Sequence, residues 1–249
     1  MSQLKGKVAV VTGASKGIGA GIARSFGAAG ASVVVNYSSS KEGADKVVQE
    51  IAREGGKAIA VQGDMSKSSD VKRLFEETKK VFGSVNILVN NAGVFQFAPL
   101  EEVTEEEFHR EMNTNVLGPI LATRESLKYF PPEGGSVINI GSIISDIPTP
   151  NGSVYASTKG ALDSLSQVLA LELSPRKIRV NTIAPGPVDT EGAQSLGIIG
   201  SDFEKLMISK TPLGRIGRPD DVAKVALFLA SEESAWLTGE KISVSGGYR

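Results

Sequence analysis

Tyr155 and Lys159, in the segment YASTK, stand four residues apart at the head of a stretch with helical spacing. On a helix that separation brings both side chains to one face, about one turn apart. A free phenol, with a pKa of about 10, is a poor acid or base at neutral pH. An ammonium group beside it favours the phenolate and lowers that value, so the pair is either a proton donor with its tuner or an ordinary surface pair. Ser142, thirteen residues before Tyr155, offers a hydroxyl that can donate to the same substrate oxygen and support the charge developing on it. It could equally do no more than end a strand.

A second cluster could hold an anion. TGASKGIGAGIA follows the first apolar run; Gly13, Gly17 and Gly19, with Ser15, Lys16 and Ile18 among them, fall in a strand-to-helix turn. Missing side chains let the backbone turn tightly and approach a phosphate, and the helix start presents free N–H groups. The spacing is G-x-x-x-G-x-G, not the common G-x-G-x-x-G, and the other reading is a tight turn with close helix–sheet packing. After the second apolar run, where an NAD-binding chain usually carries Asp or Glu for the ribose 2′-hydroxyl, this one reads NYSSSK. Asn36, Ser38, Ser39 and Ser40 are uncharged donors flanking Tyr37, and Lys16 and Lys41 add positive charge for a 2′-phosphate. The expected cofactor is NADP(H) rather than NAD; otherwise these residues form only a polar turn and a helix cap. In GDMS, Asp64, followed by Met65, could accept from an adenine amino group or cap a helix.

These groups need a scaffold, and its elements are legible. Short β-branched runs at 7–12, 32–36, 57–62, 86–90, 136–140, 179–184 and 241–245 read as seven strands, apolar on both pleat faces as strands covered by helices on each side must be. Segments 17–29, 41–54, 68–82, 104–128, 153–173 and 219–230 show helical spacing. The alternation predicts an α/β fold, a Rossmann-type doubly wound parallel sheet. With no long linker, 1–249 reads as one domain. Residues 186–217, rich in Gly and Pro, read as a long loop covering a substrate site.

Composition excludes several classes. Of 249 residues, 41% are hydrophobic and 22% charged, enough for a folded core. Lys and Arg number 27 against 28 acidic residues, a net charge of −1, so no positive field favours nucleic acid or an anionic membrane. There is no cysteine, which removes thiolate nucleophiles, thiolate metal sites and disulfides. The single histidine, His109, lies in EEEFHREMNTN and reads as a solvated helix residue, so no metal site is expected. No signal peptide or membrane span is evident, and a cytoplasmic location is expected.

TGASKGIG, ILVNNAGV (87–94), INIGSIIS (138–145), YASTK and APGPVDT occur in this order, and together they resemble the short-chain dehydrogenase/reductase family from about residue 5 to the end. Within it, the ketoreductases, including those acting on 3-oxoacyl carrier proteins, are most similar. The resemblance implies that Tyr155 transfers the proton, Lys159 tunes it and bonds the nicotinamide ribose, Ser142 orients the carbonyl, and Asn115 holds a water that continues a proton relay. It further implies that Asn91 braces the sheet, that Ala92 and Gly93 lie against the cofactor, and that Pro185, Gly186, Val188 and Thr190 hold the carboxamide end of the nicotinamide. The implied partner is a small ketone or alcohol, the implied assembly a homotetramer built from 104–128, 153–173 and the last strand. A sugar or polyol dehydrogenase with the same catalytic set and a nucleotide sensor without turnover are the alternatives.

The chain departs from the family at Ile143, Ile144 and DIPTPN (146–151), where smaller or polar residues are common. With Phe95, Phe97, Ile147 and Leu196 these would make an apolar substrate wall, although core packing explains any one of them. Arg124, Lys128 and Arg176 are candidates for a carrier-protein patch, or are simply solvated.

Overall fold

The computed structural model describes residues 3–195 and 197–249; Leu196 lies outside the described residues. Strands β1 (Val8–Val11), β2 (Ser32–Tyr37), β3 (Lys57–Gln62), β4 (Ile87–Asn90), β5 (Gly135–Ile140), β6 (Ile178–Pro185) and β7 (Lys241–Val244) each lie within one residue, at either end, of the runs expected from sequence. They form one parallel sheet in the order β3-β2-β1-β4-β5-β6-β7. Parallel neighbours require crossovers, and helices α1 (Gly17–Ala28), α2 (Lys41–Arg53), α3 (Ser68–Phe82), α4 (Glu105–Met112), α5 (Gly118–Ser126), α6 (Ser153–Leu173), α7 (Glu191–Ser195), α8 (Asp202–Ser209) and α9 (Pro219–Ala230) occupy the connections.

Strand alternation divides the core in two. Ala9, Val11, Val33, Val35, Ile87 and Val89 pack with α1, α2 and α9, whereas Val10, Val34, Leu88 and Val137 pack with α3, α5 and α6. Burying each such side chain contributes about 1.5–3 kcal/mol. A polar ladder fixes α6 on the sheet: Asn90 Nδ2 donates to Asn139 Oδ1 (2.8 Å), Asn139 Nδ2 to Ser166 Oγ (2.8 Å), and Thr182 Oγ1 to the same hydroxyl (2.8 Å). All four residues are buried. A satisfied network of this kind admits one register, and that register sets where the first turn of α6 stands.

Two expectations change. The helix expected over 104–128 is interrupted by a π-type turn at Asn113–Leu117. Pro119 has no N–H to donate to the Asn115 carbonyl four residues back, and Gly118 N bonds Asn113 O instead. Segment 186–217 is not a structureless loop. It contains α7 and α8, and its base is closed by Asp189 N to Gly217 O (2.9 Å) and Gly217 N to Pro187 O (2.8 Å).

Candidate active site

Tyr155 lies in the first turn of α6 and Lys159 one turn later. Lys159 is buried, and its Nζ donates to Ile140 O at the end of β5 (2.8 Å) and lies 5.5 Å from the centre of the Tyr155 ring. Two residues beyond Ile140, the extended Ser142 caps a short turn at Ile143–Ser145 by accepting from Ile144 N (3.2 Å). Ser142, Tyr155 and Lys159 therefore converge from two elements locked to adjacent parts of the sheet.

The electrostatics run against the sequence expectation. Burial pushes the Tyr155 phenol up to about 12, a hydrogen bond with the Ser142 hydroxyl opposes this, and the charge of Glu111 adds to it. Burial likewise brings Lys159 down to about 8, opposed by Asp163 and Glu111. The phenol's shift is set first by desolvation, with Ser142 as the group that opposes it. Tyr155 is consequently held in its protonated, donating form across the neutral range.

Asn115, also buried, is spent on the scaffold. Its Nδ2 donates to Val94 O (2.7 Å) and Thr158 Oγ1 (3.1 Å), and its Oδ1 accepts from Val94 N (2.8 Å). With both amide hydrogens engaged, its side chain joins the 94–97 segment to α6 and has no donor left for a water.

Beside Tyr155 a cavity of 390 Å³ also takes in Ser142, Gly186 and Val188. The apolar wall expected from sequence is present: Phe95, Phe97, Ile143, Ile144 and Ile147 line it, joined by Phe203 and Leu206 of α8. Phe95 and Phe97 also pack on the Tyr155 ring, with centres 5.5 and 6.2 Å away.

A second cavity, 620 Å³, opens over the carboxyl ends of β1, β2 and β4. Gly13, Ser15, Lys16, Gly17 and Ile18 line one side, Ser38, Ser39 and Ser40 another, and Asp64 and Met65 the far end. Asn91, Ala92, Gly93 and Thr190 complete it. At Gly13 (φ +60°) a Cβ would fall 2.8 Å from Ala92 Cα, and at Gly19 it would collide with Asn91 Nδ2, so the turn beneath this cleft can pack against 91–92 only with glycine at both positions. Asn91 braces it, donating to Thr12 O (2.9 Å) and Gly13 O (3.0 Å). Gly17 N at the start of α1 already holds an anion of the chain's own, Glu191 Oε2 at 2.8 Å.

Several residues expected to touch a cofactor are used otherwise. Asn36 borders the cleft, but its Nδ2 donates to Val61 O and Gly63 O and its Oδ1 accepts from Gly13 N (3.1 Å), so it pins the glycine turn. Tyr37 is buried with Val33 and Val35 in the core, as alternation along β2 requires. Lys41 pairs with Asp45 (2.5 Å), and Pro185 and Gly19 belong to the scaffold rather than to either cavity wall. Asp64 does not cap α3; its Oδ1 accepts from Ser66 N (3.0 Å) and Ser66 Oγ (2.7 Å).

The basic residues offered as a carrier-protein patch are also engaged: Lys128 pairs with Glu125 (2.8 Å) and Arg176 donates to Leu127 O (2.6 Å). Arg176 lies three residues beyond the end of α6 at Leu173, and at 1.5 Å per residue the helix alone carries the chain about 27 Å from Tyr155. His109 is exposed on α4 as expected. Sequence reading missed Arg110 and Thr114, which line the nucleotide-sized cleft. It also missed Lys241, whose Nζ contacts Asp146 Oδ2 (2.6 Å), Asp163 Oδ2 (2.7 Å) and Ser145 Oγ (2.7 Å). That cluster ties β7 and α6 to the turn after Ser142.

Known proteins are similar to this chain along nearly its whole length. A family model described as enoyl-(acyl carrier protein) reductase matches residues 13–249. An uncharacterised oxidoreductase of Methylorubrum extorquens is 55% identical over the whole of both chains. A probable tetrahydroxynaphthalene reductase of Zymoseptoria tritici is 37% identical, covering 98% of this chain and 95% of its own. Among solved structures, the angucycline C-6 ketoreductase LanV with bound NADP superposes with a TM-score of 0.92 at 37% identity, over 98% of this chain and 96% of its own. With these similarities running nearly end to end over a seven-stranded parallel sheet, the chain belongs to the short-chain dehydrogenase/reductase family of oxidoreductases.

Proposed function

We propose that this protein is an NADP(H)-dependent carbonyl reductase that interconverts an apolar ketone and its secondary alcohol, with Tyr155 as proton donor. The observation that carries the reading is the Tyr155 phenol, bonded to the Ser142 hydroxyl and held protonated, in the wall of the 390 Å³ cavity. Two neighbouring hydroxyls on one cavity wall, each able to turn its proton to a bound substrate, suit a carbonyl oxygen that gains charge. The matching family description names an enoyl reductase, whose final proton goes to carbon; paired oxygen donors favour the ketone.

The cleft fits a dinucleotide. A Cβ at Gly13 or Gly19 would collide with Ala92 or Asn91 and open the turn, and the Glu191 carboxylate on Gly17 N–H shows that this amide donates to an anionic oxygen. Bound there, NADPH would supply the hydride that a ketone carbon takes up. Lys16 and the serines at 38–40 in the cleft wall support a 2′-phosphate, as does the NADP bound by LanV. Lys159, close beside Gly93, would donate to a ribose hydroxyl of the bound cofactor. A proton relay at Asn115 rests on its main-chain carbonyl, which lacks the usual N–H partner at Pro119.

The phenylalanine and isoleucine wall favours a fused or substituted aryl ketone, in keeping with the substrates that the names of LanV and the naphthalene reductase state. A polyol would leave its hydroxyls unpaired against that wall. Segment 186–217 serves as the cover. Exposed Leu171 (79%) and Val168 on α6, Leu117 and Ile120 next to it, and Trp236 (98%) before β7 support self-association as a homotetramer; a monomer in sedimentation at working concentration would contradict this. The functional test is oxidation of NADPH and NADH across aryl ketones, α-ketoesters, an acetoacetyl thioester and sugars. Turnover of aryl ketones with NADPH is expected, and turnover of sugars alone would overturn the reading.

A further inference from the structure

Glu111 is the one residue of α4 that is fully buried, in a stretch whose composition marks it as a solvated acidic face. Its Oε1 accepts from Gln96 N (2.6 Å), the amide between Phe95 and Phe97. Those rings pack on Tyr155, so the carboxyl group holds the wall of the substrate cavity against the proposed proton donor. Its Oε2 receives no donor among the described residues. A buried ionised carboxylate with one oxygen undonated is costly, whereas a protonated one turns that oxygen into a donor.

The acceptor for that proton is one turn back. Glu107 lies within hydrogen-bond reach of Glu111 and is itself clamped by Arg110, whose Nε and Nη2 stand 2.7 and 2.6 Å from its carboxylate. Arg110 keeps Glu107 ionised, below the usual carboxylate range, while burial lifts Glu111 to about 7. The shared proton therefore resides on Glu111. The ionisable groups facing it are Glu107 and Arg110 from α4 and Tyr155 and Lys159 from α6, and the 94–97 segment contributes the Gln96 amide.

We propose that Glu111 is a positioning residue for the reduction: a protonated carboxyl group that fixes the Phe95–Phe97 wall on Tyr155 and, on losing its proton, places a negative charge beside Tyr155 and Lys159. That charge makes the phenol a weaker acid and holds the lysine in its ammonium form, so proton donation slows while substrate binding is little changed. The inference rests on the carbonyl-reductase reading. Glu111→Gln keeps the acceptor for Gln96 N–H and the donor toward Glu107 but cannot ionise.

The test is the pH profile of NADPH-dependent aryl-ketone reduction between pH 5.5 and 9 for wild type, E111Q and E107Q. In wild type kcat should fall about three- to tenfold through a neutral-range ionisation, with KM steady. E111Q should lose that inflection and vary less than about twofold until Lys159 titrates, and E107Q should move it to lower pH because Glu107 raises Glu111. Superimposable wild-type and E111Q profiles would overturn the proposal while leaving the reductase reading intact. Absence of turnover in wild type at every pH would overturn the reductase reading instead. In that case unfolding decides on Glu111: an acid raised in the folded state loses stability as pH rises from about 4.5 to about 7, and a wild-type loss equal to that of E111Q would refute its ionisation.

Discussion

Glu191 occupies the amide that a cofactor phosphate would need, and the consequence can be worked through. Its Oε2 accepts from Gly17 N at 2.8 Å, so a diphosphate must displace it and then bear its charge nearby. Both groups are exposed, and the dielectric of water applies: two unit charges about 4 Å apart repel by about 1 kcal/mol. A diphosphate carries two, giving about 1–2 kcal/mol, or about five- to thirtyfold in Kd. Glu191→Gln, which keeps the shape and removes the charge, and Glu191→Ala should both bind NADPH more tightly by that factor. Titration of NADPH fluorescence at low salt measures it. The gain should shrink as ionic strength rises, because exposed charges are screened over about 10 Å at 0.1 M. Variants within twofold of wild type at low salt, or weaker binders, would refute the displacement argument.

Three further outcomes follow from the same geometry. Lys241→Met leaves Asp163, whose Oδ1 already lacks a donor among the described residues, without its counter-ion; a loss of about 2–3 kcal/mol in denaturant unfolding is expected, and Asp163→Asn in the same chain should restore much of it. Lys159→Met should abolish activity yet stabilise the protein by about 2 kcal/mol at pH 7, since lowering Lys159 from 10.5 to about 8 costs about 3 kcal/mol and the lost bond to Ile140 O returns about 1. The sign extends to pH: with a depressed lysine, wild type gains stability as pH rises from about 8 to 10.5, and a thermal scan showing no such gain would count against it.

The sheet was legible because seven runs are apolar on both faces, a pattern that only a strand between two helical layers satisfies. Tyr155, Lys159, Ser142 and the glycine turn were legible because their spacing is local. What escaped depends on direction and distance. Tyr37 was expected to face a cofactor, although its place two residues beyond Val35 on β2 puts it in the core by strand alternation. Asn36 and Asn115 carry donors, and nothing in the sequence says that scaffold carbonyls consume them. Pro119 was the available signal for the break in the helix over 104–128. Glu111 had none: an acidic residue among EEEFHREM looks solvated until α4 is docked. Lys241 meets Asp163 across 78 positions, a separation at which sequence proximity carries no information.

The central claim is that Tyr155 gives the proton, and the direct measurement compares wild type with Tyr155→Phe for NADPH binding and for single-turnover reduction of an aryl ketone. Loss of the phenolic hydroxyl should leave NADPH affinity within about twofold and slow reduction by about 10²–10⁴-fold. Reduction by Tyr155→Phe at a rate close to wild type would contradict the account.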